Sequence, residues 1–153
     1  METNNIYVPE VFFTNSCLTG REVVKSTRLL GDLEDVFQDK EAFELMNKDR
    51  IIYQVSSFLP VEEDTVGGLF MGITTLYPGK VGQEFFMTKG HFHLNNDRAE
   101  FYWGIEGEGI LILMNEQRKV WAERMCPGSL HYIPGKVAHR VANIGYQKLV
   151  FSA

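Results

Sequence analysis

The sequence predicts an all-β domain closed as a jelly-roll barrel and preceded by a short arm of strand and helix. From Ile51 onward, Val, Ile, Thr, Phe and Tyr gather in short segments. Gly, Pro and Asn interrupt these segments at regular intervals, as tight turns require. The eight segments together favour a closed or double-sheet arrangement, because closure is how antiparallel proteins remove exposed strand edges. A chain of 153 residues suits one domain with a sizeable core. No repeat, linker or low-complexity stretch marks a second one, so residues 1–50 are read as an arm of the same domain and 51–153 as the barrel.

In order along the chain, residues 1–30 read as extended. Clusters in "IYVPEVFF" and "REVVKSTRLL" are broken by Pro9, Asn15 and Gly20. Between Gly31 and Arg50 the pattern turns helical. Leu33, Val36 and Phe37, then Phe43 and Met46, recur at three-to-four spacing, and acidic residues crowd the starts, where a helix dipole favours them. One or two short helices are expected there. The strand segments follow as "IIYQVSSF", "LFMGITTLYP", "EFFMTKGHFH", "EFYWGIEG", "EGILILMN", "KVWAERM", "GSLHYIP" and "HRVANIG…KLVFSA".

Charge and composition exclude several classes of function. The balance of 15 Lys+Arg against 20 Asp+Glu gives a net charge of -5 with no basic block, so nucleic acid is not an expected partner. No apolar run approaches the ~20 residues that span a bilayer. The opening "METNNIYVPEVFF" lacks the basic and apolar regions of a signal peptide, so a soluble cytoplasmic protein is expected. Cys17 and Cys126 lie far apart without a CxxC pairing and read as reduced, semi-buried thiols.

The chemistry concentrates in histidine and glutamate. His91 and His93 are two apart, so on a strand both side chains leave the same face and can converge inside a barrel. "LNNDRA" is rich in turn formers and can reverse the chain, bringing Glu100 onto an adjacent antiparallel strand near the pair. His139 follows another short strand bracketed by Gly128 and Pro134. Three imidazoles and a carboxylate form a mixed N/O set suited to iron, nickel, manganese or zinc. His131, alone in "SLHYIP", reads as a structural residue.

These residues also carry a resemblance. Glu100-x6-Gly107, Gly128-x5-Pro134 and His139-x3-Asn143 look like the two cupin motifs, with Lys136 where the usual glycine follows the proline. The gap from His93 to Glu100, longer than in most cupins, with "YPGKVGQEFFMTKGHFH" before it and "AHRVANIG" after, is similar to the cupin-type phosphoglucose isomerases of archaeal type. The resemblance runs from "STRLLGDLEDVF" to "KLVFSA". It implies a cupin double-stranded β-helix, acting as a homodimer that interconverts glucose 6-phosphate and fructose 6-phosphate.

It further implies that His91, His93, Glu100 and His139 bind one divalent metal, usually Fe2+. Thr74, Thr88, the backbone of Gly90 and Tyr102 would hold the phosphate, with Tyr53 an active-site tyrosine. Glu100 is then the implied base for proton transfer through an enediol, and a hydride shift is the competing route. Lys89 is left without a role. Two departures stand out: "PGKVAH" replaces the aromatic residues expected before the last metal histidine, and the family's glycine-histidine-aspartate-tyrosine stretch is not found after "KLVFSA". They raise the alternative of a sugar-phosphate-binding cupin that is non-catalytic or altered in specificity.

Overall fold

The computed structural model describes residues 6–62, 65–92 and 97–153. An antiparallel hairpin opens the described chain, β1 (Val11–Thr14) with β2 (Cys17–Gly20). Its two turn residues, Asn15 and Ser16, sit at φ 52° and 59°, the left-handed pair that matches the twist of a two-residue hairpin. β3 (Val23–Leu29) then enters a six-stranded sheet ordered β11-β8-β13-β5-β4-β3. The other members are β4 (Ile51–Phe58), β5 (Met71–Leu76), β8 (Glu100–Glu106), β11 (Leu130–Ile133) and β13 (Leu149–Ser152).

A second sheet, ordered β10-β9-β12, joins β9 (Gly109–Asn115), β10 (Val120–Met125) and β12 (Val137–Asn143). Residues 86–91 run along the free edge of β12. The bonds Asn143 N to Phe86 O and Thr88 N to Val141 O hold them there, and Met87 and His91 bridge Ala142 and His139.

The two sheets pack face to face around one core. Ile52, Tyr53, Leu76 and Phe151 from the larger sheet share a buried cluster with Leu111, Leu113, Val137 and Val141 from the smaller. Each fully buried Leu or Phe contributes about 1.5–3 kcal/mol by leaving water, so this shared face holds the sheets together. The double-sheet β-architecture expected from the turn spacing is therefore present.

The helical stretch divides in two. A 3-10 segment spans Leu30–Val36 and a short helix, α1, spans Lys40–Glu44. Asp39 caps α1 by accepting from the Ala42 amide. The Glu84 carboxylate accepts from the Gln38 and Asp39 amides, tying the helix to the small hairpin of β6 (Lys80–Val81) and β7 (Glu84–Phe85). Leu30, Leu33, Phe37 and Phe43 are buried, and the Phe37 ring meets those of Phe43 and Phe86.

Three expectations need correction. "HRVANIG…KLVFSA" is two strands, β12 and β13, because the buried Asn143 fastens the turn between them: its amide donates to Leu76 O and Gln147 O, and its Oδ1 accepts from Gly145 N. Within "EFFMTKGHFH", regular pairing ends at Phe85, and the chain continues as isolated bridges along β12. Glu100 does not lie on a strand beside His91 either. It opens β8 in the six-stranded sheet, opposite Ile133, while His91 lies against β12 in the other sheet. Glu100 instead reaches His139 from across the barrel.

Candidate active site

β12 alternates, presenting Val137, His139, Val141 and Asn143 inward as buried side chains. His139 is thus delivered to the barrel interior by strand periodicity alone. The bridge to residue 91, with backbone bonds of 3.2 and 3.4 Å, lays the His91 ring edge-on against the His139 ring at 4.7 Å between centroids. From the opposite sheet, Glu100 places Oε1 at 2.8 Å from His139 Nε2. His139 therefore touches both of the other described candidates, His91 and Glu100. The fourth, His93, lies outside the described residues.

The donor set fits a cation. His139 Nδ1 is 3.3 Å from the Val137 carbonyl, which can only accept, so Nδ1 carries the hydrogen in that contact. Nε2, buried, then turns its lone pair toward the Glu100 carboxylate at 2.8 Å, an arrangement that a cation between the two would satisfy. By residue type two imidazoles and a carboxylate suit a divalent transition metal, while among the described residues no three such side chains are gathered closely enough to hold one.

A cavity of about 350 Å³ opens beside this cluster, walled by both sheets. Arg28, Tyr53, Val55, Thr74, Tyr102 and Phe151 line it from the six-stranded side, and Thr88, Lys89, Gly90, His91 and His139 from the other. All five residues proposed to bind substrate, Tyr53, Thr74, Thr88, Gly90 and Tyr102, therefore share one cavity with two of the proposed ligands. Thr74 is buried in a row with Val55 and Phe151, its partners on either side. Thr88 Oγ1 accepts from the Val141 amide at 3.0 Å, which leaves its own hydrogen to donate. At Gly90 a β-carbon would come within 2.8 Å of the Arg140 guanidinium, so a side chain there would have to displace that arginine.

Tyr102 is buried with its ring edge-on to His139 at 5.4 Å. Burial first, then the Glu100 carboxylate and Tyr53, pushes its hydroxyl well above the ordinary phenol range, so it stays a proton donor. Two cations at the cavity, Arg28 and Lys89, were given no role by the sequence reading. The inward direction of Arg28 is visible only once its register partner, Tyr53, is known.

His131 is structural, as read. It is buried between Glu123 Oε2 at 2.6 Å and Ser129 Oγ at 2.9 Å and does not line the cavity. A second cavity of about 350 Å³, lined by Pro78, Gly79, Lys80, Phe85 and residues 144–146, offers no histidine or carboxylate and is not a site of this chemistry. Cys17 and Cys126 are both free thiols.

Residues 27–153 match the family model described as glucose-6-phosphate isomerase. The chain belongs to that family. Among its relatives, the glucose-6-phosphate isomerase of Thermococcus kodakarensis is 43% identical over 130 residues, a match covering 84% of this chain and 68% of the relative. That of Pyrococcus furiosus is 43% identical over 131 residues, with the same coverage. Membership makes this chain an enzyme of the isomerase family. Among solved structures, oxalate decarboxylase of Bacillus subtilis aligns at a TM-score of 0.52 with 20% identity, over 65% of this chain and 24% of the other. That likeness concerns the fold, and the barrel is a cupin barrel.

Proposed function

We propose that the protein interconverts glucose 6-phosphate and fructose 6-phosphate as a metal-dependent aldose–ketose isomerase, serving glycolysis and gluconeogenesis in the cytoplasm. The observation that carries this reading is the contact of His139 with His91 and with Glu100, beside a cavity lined by both histidines and by Tyr53, Thr74, Thr88, Gly90 and Tyr102. Family membership supports the reaction, and the donor set supports the metal. His91, His93, Glu100 and His139 would hold one divalent ion, Fe2+ being the family's usual choice, with nickel, manganese or zinc also suited to the set. When bound, such an ion supplies Lewis acidity to the sugar's carbonyl oxygen.

The chain's own groups do the remainder. Isomerisation moves a hydrogen from C2 to C1 and another from O2 to O1. Glu100 is the base placed to take the C2 proton and return it to C1. Tyr102, held protonated, can donate a hydrogen bond but cannot compete as a base. Hydroxyls of Tyr53, Thr74 and Thr88 and the backbone of Gly90 hold the phosphate, each neutral donor contributing about 1 kcal/mol or somewhat more to a charged acceptor. The sugar is thereby oriented before any bond changes.

A coupled assay tests this, with glucose 6-phosphate formation from fructose 6-phosphate reported by a dehydrogenase. Chelator-sensitive turnover is expected, and its absence in metal-loaded, folded protein would overturn the reading. In heavy water, base catalysis by Glu100 puts solvent deuterium into the product, whereas a hydride shift does not. Family membership favours the isomerase over the sugar-phosphate-binding alternative.

Homodimerisation is part of the proposal. Phe101, Trp103, Leu130 and Tyr132 project from the outer face of β8 and β11, each about half exposed or more, and β11 is a sheet edge. Light scattering should give twice the chain mass, and Trp103→Glu should lower it if this face is the contact.

A further inference from the structure

The phosphate grip described above is built of neutral donors, yet the ligand end of a sugar phosphate carries close to two negative charges. It would enter a cavity lined by His139, whose Nε2 already faces the Glu100 carboxylate, in a chain of net charge -5. Neutral hydroxyls alone leave that charge uncompensated, and compensation of buried charge is what sites of this kind require.

Arg28 is placed to supply it. On β3 it lies opposite Tyr53 of β4, and residues directly opposite in an antiparallel pair share a face. The next pair along, Thr27 and Gln54, faces the other way, where Gln54 Nε2 bonds Thr27 Oγ1. The register slips between Arg28 and Leu29, a bulge of the kind that re-aims a side chain beside a site. Arg28 lines the same cavity as Thr74, Thr88 and Gly90, with Lys89 on the facing wall. Among the described residues, neither Arg28 nor Lys89 makes an ion pair with a carboxylate.

We infer that Arg28, assisted by Lys89, is the specificity-determining residue that neutralises the phosphate and makes the site select a phosphorylated sugar over the free one. The inference rests on the isomerase reading for the identity of the sugar but not for the anion. Arg28 supplies planar paired donors that match a phosphate, and Lys89 a single mobile charge, so Arg28 carries the larger share.

The test uses the metal-loaded full chain with Arg28→Gln, Arg28→Lys and Lys89→Gln, each checked by melting temperature. Inorganic phosphate and fructose 6-phosphate are titrated by calorimetry, which needs no turnover, and kcat and KM are measured alongside. For Arg28→Gln, affinity for both ligands should fall by about tenfold or more, as loss of a charge-assisted pair does. KM should rise by a similar factor while kcat changes little, and weak binding of unphosphorylated fructose should be unaffected. Lys89→Gln should show a smaller loss, and Arg28→Lys should recover part of it. A folded Arg28→Gln protein that binds phosphate as the parent does would overturn the inference, as would a fall in kcat at constant KM. If the parent binds phosphate through Arg28 but shows no turnover, the isomerase reading falls and the anion site stands; turnover with an unaffected Arg28→Gln gives the converse.

Discussion

Two buried histidines of this barrel each sit against a glutamate, His131 with Glu123 at 2.6 Å and His139 with Glu100 at 2.8 Å, yet only one belongs to a site. His131 is buried beside the turn that joins β10 to β11. Its second nitrogen meets Ser129 Oγ, and that hydroxyl also bonds the Cys126 carbonyl and amide. Gly104 leaves room for the cluster, since a β-carbon there would lie 2.2 Å from Cys126 O and 2.8 Å from Ser129 Oγ. His139 instead lines an open cavity, next to a second imidazole and opposite a carboxylate from the other sheet. Both pairs join one sheet to the other, so topology alone does not separate them; the pair becomes chemical where a cavity and a second imidazole adjoin it, and is a fastening where a turn's hydroxyl takes the remaining nitrogen.

The comparison breaks most sharply in activity. His139→Ala should lower kcat/KM by roughly 10²–10⁴-fold, the rate equivalent of the several kcal/mol a Lewis-acid metal contributes, and bound metal measured by elemental analysis should fall with it. Glu100→Gln should cost about 10²–10⁴-fold, the range for a positioned general base, with the melting temperature little changed. His131→Leu should leave turnover within a few-fold of the parent while lowering stability in urea by about 1–3 kcal/mol, because a buried hydrogen-bonded group is lost. Equal losses of activity from both histidine variants would erase the distinction.

Asn143 sharpens it from the same strand. Four residues after His139, it carries no chemistry but fastens the turn to β13, so Asn143→Ala should cost about 2–4 kcal/mol through stranded buried partners. The smallest effect belongs to Lys136. It stands at φ 64°, left-handed backbone that favours glycine, and its exposed contact with Asp97 at 3.7 Å is worth little. Lys136→Gly should therefore raise stability by about 0.5–1 kcal/mol, read as a higher urea midpoint.

What the sequence made legible follows the same division. Strands bounded by strong turn signals, such as β4 at Ile51–Phe58, match their segments residue for residue, because alternation and turn chemistry agree there. The motif glycines are equally clear once φ is seen: Gly107 and Gly128 stand at 82° and 84°. Harder to see were the break after Phe85 and the division of the last segment. Both depend on contacts with β12 or Asn143 rather than on local pattern. At the site, residue types named the candidate ligands, but Glu100 reaches His139 across the barrel rather than along a hairpin, and that is a property of topology. Arg28 was invisible for the same reason, since a bulge and a register, not a motif, turn it toward the cavity.

The central proposal is that His139 and its neighbours, once a divalent ion is bound, convert one hexose phosphate into the other. Its most direct measurement is the rate of glucose 6-phosphate formation from fructose 6-phosphate by purified protein, before chelation, after it, and after a divalent ion is restored. The account predicts turnover that chelation abolishes and metal returns. Metal-loaded, folded protein with no turnover, or turnover indifferent to chelation after the metal has been shown to leave, would contradict it.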